Sequence, residues 1–355
     1  MTGTVSVVAL PLFHHESSIR HDTGSHPERA ARITAIEQEL RARDWCGFAP
    51  RASSPATLSQ LHAVHPETHV ARIRSLAAAG GGMIDADTIV SAGSWDAALH
   101  AAGGAVGVVD ELCSGRARRA ASLHRPPGHH CETAQPMGFC LFNNVAVAAR
   151  HARDAFRVER TLVFDWDVHH GNGTAEIFAG SSDVLFCSIH GSPLYPGTGR
   201  VDEVGHGDGE GFTVNLPVPP GSGDDVWTSL VDAVVLPVAR EYQPQLILVS
   251  AGYDAHHEDP LADCEVSDEG FARMARSVHA LGAELGVPVG MVLEGGYAVD
   301  ALARSVAATL EAWAEQPAPA PPVVPETLPY VVERLRAAHA GRWETLRPDG
   351  TTAPA

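Results

Sequence analysis

Acidic and histidine residues follow an apolar run in the middle of the chain. Residues 161–164 predict a β-strand, which continues into Asp-Trp-Asp-Val-His-His-Gly-Asn-Gly at residues 165–173. Alternate positions of a strand share one face, so Asp165, Asp167 and His169 are expected to point together. Carboxylates and an imidazole on one rigid edge are candidate metal ligands.

A further candidate ligand, Asp254, follows the apolar run at residues 245–250. A carboxylate directly after such a run has no structural reason for burial except coordination or capping. Two carboxylates and one imidazole leave coordination positions open, and they suit zinc or Fe²⁺ better than magnesium or calcium. Asp-x-Asp alone is common in turns. The prediction of a metal centre at Asp167, His169 and Asp254 therefore depends on the combination of this motif with the following His-His-Gly and the distant Asp254.

Two adjacent histidines, His129 and His130, follow the stiff sequence Arg-Pro-Pro-Gly at residues 125–128. Such a pair supplies a general base and a general acid when neighbouring groups separate the two pKa values. Asp165 and Asn172 are candidate partners, because a carboxylate behind one histidine raises its pKa and an amide does not. Surface histidines in a proline-rich loop are the structural alternative.

The third motif is Leu-Glu-Gly-Gly-Tyr at residues 293–297, after the predicted strand at 288–293. Glycines permit close backbone approach to a ligand. The Tyr297 hydroxyl is then expected to stabilise the oxyanion of a tetrahedral intermediate. Taken alone, this motif is equally typical of a loop with an aromatic cap.

The elements that position these motifs alternate between strands and helices. Strands are predicted at residues 5–13, 161–164, 184–189, 245–250 and 288–293, and an Ala/Gly-rich helix at 94–112. Ser25 with Glu28 predicts a capping box, and Ser267 predicts another helix start. This βαβ pattern indicates an α/β fold with a parallel sheet, whose functional groups gather at the carboxyl ends of the strands.

The domain organisation is predicted to be one catalytic domain, residues 1–316, followed by a proline-rich linker and a short helical tail, residues 317–355. The stretch at 317–325 breaks the preceding helix, and a last helix is expected at about 329–340.

Composition narrows the class of protein. The 355 residues carry a formal net charge of −18, which argues against phosphate-mediated nucleic-acid binding and favours cationic substrates. Six cysteines without a Cys-x-x-Cys pair suit a reducing cytoplasm. We find no signal peptide and no apolar run of the roughly 18 residues that span a bilayer. A cytoplasmic protein without membrane or nucleic-acid partners is therefore expected.

In the order and spacing of its motifs, the sequence resembles the histone deacetylase family, most closely its class II-like bacterial amidohydrolases and the related acetylpolyamine amidohydrolases. The resemblance extends to about Trp313. It rests on His26-Pro27-Glu28, residues 125–130, Gly138-Phe139-Cys140, residues 165–174, 196–199 and 250–254, and Gly295-Gly296-Tyr297.

The resemblance implies a three-layer arginase/deacetylase-like fold with zinc on Asp167, His169 and Asp254, and His129, His130 and Tyr297 as catalytic residues. It also implies that His130 is the general base and acid, while His129, paired with Asp165, acts electrostatically. Asn172 stands where class I members have aspartate, which weakens a charge relay through His130.

Family structures further imply walls of an acyl-lysine channel at Gly138, Phe139, Leu194, Tyr195 and Leu261. Tyr195 departs from the usual phenylalanine, so the preferred acyl length stays open. The resemblance also implies a structural potassium ion. Its site consists of Asp165, Asp167, His169, Ser188 and Ile189.

The predicted function is a zinc-dependent amidohydrolase that removes acetyl or other acyl groups from the ε-amino group of lysine or a similar primary amine. Alternatives are an acetylpolyamine or other small-molecule deacetylase, a non-catalytic acyl-ligand sensor, and a binuclear manganese ureohydrolase. Polyamine-specific relatives carry glutamate after Asp-Pro, whereas this chain has Leu261 after Asp259-Pro260. Whether Fe²⁺ replaces zinc, and whether the chain forms a homo-oligomer, stay open.

Overall fold

A computed structural model of the chain describes residues 10–317, 329–339 and 341–347. The strands in these ranges are β1 (Leu10–His14), β2 (Phe48–Ala52), β3 (Gly81–Met83), β4 (Ile89–Ser91), β5 (Arg119–Ser122), β6 (Thr161–Asp165), β7 (Val184–Gly191), β8 (Thr213–Val218), β9 (Leu246–Ala251) and β10 (Val289–Leu293). The α-helices are α1 (Ser17–Arg20), α2 (Ala31–Ala42), α3 (Leu58–His62), α4 (Glu67–Ala78), α5 (Ser94–Cys113), α6 (Asn144–Phe156), α7 (Asn172–Phe178), α8 (Asp224–Leu230), α9 (Leu236–Tyr242), α10 (Asp268–Leu285), α11 (Val299–Ala314) and α12 (Pro329–His339). A π-helical turn, Val231–Val235, joins α8 to α9.

Eight of the described strands form one central sheet in the order β2-β1-β5-β10-β9-β6-β7-β8, and their pairings are parallel. Side chains alternate between two hydrophobic cores. In β6, Leu162 and Phe164 join the core under α2, α10 and α11, whereas Val163 joins the core under α4, α5 and α6. Because both faces are covered, the strands are almost continuously apolar. The predicted three-layer α/β fold is confirmed.

The predicted interior strands are confirmed with small shifts at their ends. The observed β6 and β7 extend past the predictions to Asp165 and Gly191, and β9 and β10 begin at Leu246 and Val289. The predicted strand at residues 5–13 overlaps β1, and residues 5–9 lie outside the described residues. The Ala/Gly-rich helix is α5, whose Gly104 lies so close to β5 that a Cβ there would meet the His124 ring at 2.4 Å.

The predicted capping box of Ser25 and Glu28 is wrong, because α2 begins later, at Ala31. The Glu28 carboxylate is instead fully buried between Arg125 and Arg32. Charge-assisted bonds to two guanidinium groups are stronger than a cap on an exposed backbone N–H.

The other predicted helix start is confirmed. The Ser267 side chain accepts a hydrogen bond from the Gly270 N–H at 3.2 Å and caps α10.

The described part of the tail packs against the sheet edge near β8. Leu335 of α12 is fully buried, and the Trp343 indole donates a hydrogen bond to the Gly211 carbonyl at 2.8 Å. The predicted last helix is observed as Pro329–His339, with residue 340 outside the described residues. Most of the proline-rich stretch, residues 318–328, also lies outside them, and the domain boundary at 316 stays a prediction.

The six cysteines have free thiols, in agreement with their spacing. Among the helices of the described residues, none combines the length and the apolar character needed to cross a membrane.

Candidate active site

The predicted site residues lie at the carboxyl ends of four neighbouring strands, β5, β10, β9 and β6. His129 and His130 follow β5, Tyr297 follows β10, Asp254 follows β9, and Asp165 ends β6. Parallel strands present these ends at the same edge of the sheet. The fold therefore brings together motifs that are distant in sequence.

Asp167, His169 and Asp254 form a compact cluster of buried donor atoms. One donor from each residue lies within 4.8 Å of the other two. The His169 Nδ1 is 3.1 Å from Asp167 Oδ1 and 3.2 Å from Asp254 Oδ2. The arrangement is that of three ligands directed at one point.

Backbone N–H groups hold the two carboxylates of this cluster. Asp167 accepts hydrogen bonds from the His169 N–H at 2.9 Å and the Gly295 N–H at 2.8 Å. Asp254 accepts from the Val168 N–H at 2.9 Å. The loops after β6 and β10 thus fix the carboxylates independently of any ligand.

Two glycines provide the space for the carboxylates. A Cβ at Gly252 would lie 2.0 Å from Asp167 Oδ2, and a Cβ at Gly295 would lie 2.1 Å from Asp254 Oδ2. Both distances are far below a van der Waals contact. Any larger residue at either position therefore displaces a carboxylate.

The electrostatics of the cluster favour a cation. Burial alone lowers the pKa of His169, but Asp167 and Asp254 outweigh it and raise the pKa to about 10. Burial and the Asp167 carboxylate raise the pKa of Asp254. Two buried carboxylates facing one imidazole carry excess negative charge, and burying unpaired charge is costly. A divalent ion removes this imbalance, and this donor set fits zinc or Fe²⁺.

His129 is paired with a carboxylate. Its Nδ1 lies 3.0 Å from Asp165 Oδ2, and its Nε2 lies 3.8 Å from Asp167 Oδ1. Burial lowers the pKa of His129, but the Asp167 and Asp165 carboxylates outweigh burial and raise the pKa well above its usual range. These carboxylates therefore favour the protonated form of the ring.

His130 is paired with an amide. Its Nδ1 lies 2.8 Å from the Asn172 oxygen. Burial, and then the neighbouring His129 and His169, lower the pKa of His130 well below its usual range. The pKa values of the two histidines are thus shifted in opposite directions, and their catalytic roles stay predictions.

Tyr297 is fixed through its backbone. Its N–H and the Ala298 N–H both donate to Asp259 Oδ2, at 2.7 and 3.2 Å. The ring contacts Phe139 edge-to-face at a centroid separation of 5.7 Å. Burial raises the pKa of the hydroxyl well above its usual range, so the hydroxyl remains a hydrogen-bond donor.

Aromatic rings cover the histidines. Tyr195, 39% exposed, packs edge-to-face on His130 at 5.1 Å. Phe139 has a left-handed backbone, with φ of 68°, next to Gly138. A Cβ at Gly138 would meet the His130 ring at 2.4 Å, so this glycine allows the loop to approach the histidine.

The remaining predicted residues lie around this centre. Leu194 is partly buried and lies against Gly191. The Leu261 N–H donates to Asp259 at 3.0 Å, which links it to the Tyr297 loop. Ser188 of β7 lies opposite Asp165 of β6, and its neighbour Ile189 is buried.

Glu294, for which the sequence predicted no role, lies at the centre of the site. One oxygen accepts from the Gly128 and His129 N–H groups at 2.6 and 3.1 Å, and the other from the Ser250 hydroxyl at 3.1 Å. Glu294 thereby joins the ends of β10, β5 and β9. An acid directly after an apolar strand, the signal used for Asp254, also marks this residue.

Arg32 was also missed. Its guanidinium group donates to the Gly296 and Glu294 carbonyls and to the Glu28 carboxylate. It lies 5.1 Å from the Tyr297 ring centroid. An arginine on a helix 264 residues before Gly296 carries no local signal of this contact.

Comparisons with known proteins agree with the fold and the motifs. Residues 26–313 match the family model of the histone deacetylase domain. A probable deacetylase of Archaeoglobus fulgidus is 38% identical over 292 residues, which cover 81% of this chain and 80% of that protein. The histone deacetylase-like amidohydrolase of Pseudomonas aeruginosa is 41% identical over 249 residues, 70% of this chain and 66% of that protein. The crystal structure of the HDA15 HD domain superposes with a TM-score of 0.86 at 33% identity, covering 95% of this chain and 97% of that one.

Proposed function

The chain belongs to the histone deacetylase family of hydrolases, and on that basis we propose that it is a zinc-dependent amidohydrolase. It removes acetyl or other acyl groups from the ε-amino group of lysine or from a similar primary amine. The observation that carries this proposal is the meeting of the Asp167, His169 and Asp254 cluster at one sheet edge with two histidines, one paired with a carboxylate and the other with an amide.

Asp167, His169 and Asp254 would hold the metal. When bound, zinc supplies Lewis acidity towards the amide carbonyl and an attacking water. Fe²⁺ accepts the same nitrogen and oxygen donors. Elemental analysis of protein purified from cells without added metal distinguishes zinc from iron.

The histidines divide the proton transfers between them. Burial and the neighbouring histidines favour the neutral form of His130, so His130 takes the proton of the attacking water and later gives it to the departing amine. Asp167 and Asp165 favour the protonated form of His129, whose positive charge stabilises the developing negative charge. An amide at Asn172 orients His130 without raising its pKa as a carboxylate would.

Tyr297 donates a hydrogen bond to the oxyanion, since its hydroxyl is held protonated by burial. Asp259 positions this hydroxyl through the backbone. Phe139 and Tyr195 flank the acyl-amine chain, with the other predicted channel residues around them. These are Gly138, Leu194 and Leu261.

The potassium site at Asp165, Asp167, His169, Ser188 and Ile189 is proposed on the family resemblance. Its support is that the last residue of β6, Asp165, pairs with Ser188 of the neighbouring β7. Potassium is expected to raise the midpoint of thermal unfolding above that in the same concentration of a bulky organic cation. Equal unfolding midpoints with the two cations would contradict the proposed potassium site.

The direct test of the mechanism is Tyr297→Phe. The change removes one oxyanion donor and keeps the ring, so kcat is expected to fall by about 10²–10³ while metal content is unchanged. Undiminished turnover by the variant would exclude this role for Tyr297.

A small acetylated amine is the second candidate substrate class, and one observation favours it. Asp87, Asp85 and Glu132 all lie close enough to Tyr195 to raise the pKa of its hydroxyl, after the larger effect of burial. These carboxylates suit a substrate with a second ammonium group. Leu261 after Asp259-Pro260 favours a peptide instead.

Specificity constants decide between these classes. The metal-loaded protein is assayed on acetyl-lysine peptides, longer acyl-lysine peptides, acetylputrescine and acetylspermidine. Because the chain contains no lysine, its own side chains add no ε-amine background to detection of the released amine. If the protein turns over none of these substrates, the result favours an acyl-ligand sensor. Two bound manganese ions per chain would favour a ureohydrolase.

A further inference from the structure

A second group of metal-ligating side chains lies where the loop after β1 meets the first turns of α5. His15 lies in that loop, and Asp96 and His100 lie one helical turn apart on α5. One donor atom of each residue lies within 4.8 Å of the other two. From this geometry we propose a second site, outside the catalytic edge of the sheet, for a divalent transition-metal ion.

Both imidazoles are held through one nitrogen, which leaves the other for an ion. His100 Nδ1 lies 2.9 Å from the Ser53 hydroxyl, and His15 Nδ1 lies 2.9 Å from the Ser17 hydroxyl. Metal-ligating histidines characteristically make such a bond with their second nitrogen, which fixes the tautomer. For His100, a proton on Nδ1 leaves the Nε2 lone pair free to bind. His15 Nδ1 also accepts the Ser17 N–H at 3.2 Å, so the neutral ring carries its proton on Nε2, and that proton is exchanged to Nδ1 when His15 binds the ion.

The donor spacing is close to that of a bound site. His100 Nε2 lies 3.9 Å from Asp96 Oδ1. Nitrogen and oxygen ligands about 2.0–2.1 Å from a tetrahedral ion lie roughly 3.4 Å apart, so this pair needs to close by only about 0.5 Å.

One ring must turn when the ion binds. The His15 and His100 rings are stacked, with centroids 3.5 Å apart and planes 6° from parallel. A single ion cannot lie in two parallel ring planes. His15 is partly buried in a loop, and rotation about its terminal side-chain torsion is soft, so His15 is the ring that turns. In turning, it gives up the Nδ1 contacts with the Ser17 hydroxyl and N–H in exchange for the ion.

The charges around the cluster favour a cation. Arg20 donates to Asp96 Oδ2 at 2.6 Å and to Glu16 at 2.8 Å. The two carboxylates outnumber the one guanidinium, and Asp96 Oδ1 is left facing the histidines. The Asp96 side chain is 47% exposed, which provides a route for the ion.

The donor set selects the kind of ion. Two imidazoles and one carboxylate suit Zn²⁺, Cu²⁺, Ni²⁺ or Co²⁺, whereas Mg²⁺ and Ca²⁺ prefer oxygen ligands throughout. An ion here ties the loop after β1 to α5. Ser53, which holds His100, is also 2.9 Å from His124, just before the catalytic loop at residues 125–130. The site is therefore structural and stabilises the protein.

Equilibrium dialysis of the tag-free full chain against Zn²⁺, followed by elemental analysis, tests the proposal. The wild type is expected to retain one more ion per chain than Asp96→Asn or His15→Gln at the same free Zn²⁺. Each variant weakens this site by about tenfold or more. His62→Gln, which changes an exposed histidine of α3, is the matched control and should behave like the wild type.

A His169→Ala background separates this site from the catalytic one. The proposal requires that one ion remains in His169→Ala and is lost when Asp96→Asn is added. Because ligand binding stabilises the folded state, Zn²⁺ should also raise the unfolding midpoint of His169→Ala more than that of the double variant. Binding by Asp96→Asn and His15→Gln within twofold of the wild type would overturn the proposal, as would loss of all bound zinc in His169→Ala alone.

Discussion

The two histidines of the site have different partners and pKa values that are shifted in opposite directions. His129 and His130 are neighbours in sequence, and both are buried. The Asp167 and Asp165 carboxylates outweigh burial and raise the pKa of His129, whereas burial, His129 and His169 lower the pKa of His130 despite its hydrogen bond with Asn172. Adjacent residues of one type thus acquire opposite pKa shifts from their different surroundings.

Glu294 is expected to position the histidine loop, and Glu294→Gln tests this. The variant keeps the size of the side chain, but one acceptor oxygen is replaced by an NH₂ group that cannot accept from Gly128 or Ser250. An unsatisfied buried group costs about 1–3 kcal/mol of unfolding free energy. Displacement of His129 and His130 by a fraction of an ångström should lower kcat by about tenfold or more.

Urea unfolding, kcat, KM and metal content are measured together for this variant. Metal content and KM should stay close to wild type, because the three metal ligands do not contact Glu294. Glu315→Gln, at an exposed position, is the control. A kcat equal to wild type would refute the positioning role.

At the residue scale, the sequence predicts candidate metal ligands better than it predicts which residues form hydrogen bonds with each other. Asp167, His169 and Asp254 were found because each follows an apolar strand that predicts a sheet edge, and the structure brings them together. Glu294 satisfies the same rule, yet its partner Gly128 lies 166 residues away. No local pattern specifies such a pairing, which depends on the order of strands in the sheet.

At the scale of elements, the turns after the strands determine how closely the site residues approach. Gly252 follows β9 and faces the Asp167 carboxylate, and a Cβ added to it would lie 2.0 Å from Oδ2. Gly252→Ala should displace Asp167, because the carboxylate is buried and fixed by two N–H groups. Loss of bound metal and of activity is the expected result, measured by elemental analysis and steady-state kinetics.

Gly180→Ala is the matched control, because a Cβ there would meet only the exposed His206 ring at 3.1 Å. The circular dichroism spectra of both variants should resemble the wild type. Full metal content in Gly252→Ala would show that the carboxylate can move, contrary to the proposed rigidity of the cluster.

Element boundaries were predictable where a local signal acts alone. Ser267 caps α10 as predicted, because its hydroxyl reaches an N–H three residues ahead. Glu28 has the spacing of a capping box but is recruited by Arg125, 97 residues away, so α2 begins later. Local capping thus failed where a buried ion pair competed for the same carboxylate.

At the scale of the whole molecule, the buried Glu28 joins separate parts of the chain. Arg32 of α2 connects it to the Tyr297 loop, and Arg125 to the histidine loop. Burial alone raises the pKa of Glu28, but Arg125 and then His21 outweigh it and lower the pKa well below its usual range. Stability therefore depends on this carboxylate being charged.

Glu28→Gln should reduce the free energy of unfolding by about 3–5 kcal/mol at neutral pH, since it leaves buried arginines without their counter-charge. The folded pKa lies below the unfolded value of about 4.3, so the contribution is fully present above that pH and is lost as pH falls through the folded pKa. Urea unfolding from pH 7 downwards should show the wild type and the variant converging. Glu67→Gln, exposed on α4, is the control, and a difference that is constant with pH would contradict this origin.

The net charge of −18 is expected to attract cationic substrates to the protein and so to speed their binding. The Asp85, Asp87 and Glu132 carboxylates add to the negative potential next to Tyr195. A cationic acyl-lysine peptide with flanking arginines should therefore bind faster than one with flanking glutamines. Raising NaCl shortens the Debye length to about 8 Å at 0.15 M, so kcat/KM should fall several-fold for the arginine peptide and little for the glutamine peptide. Asp87→Asn should flatten this dependence, whereas identical salt dependence of the two peptides would mean that the acidic surface does not steer substrate.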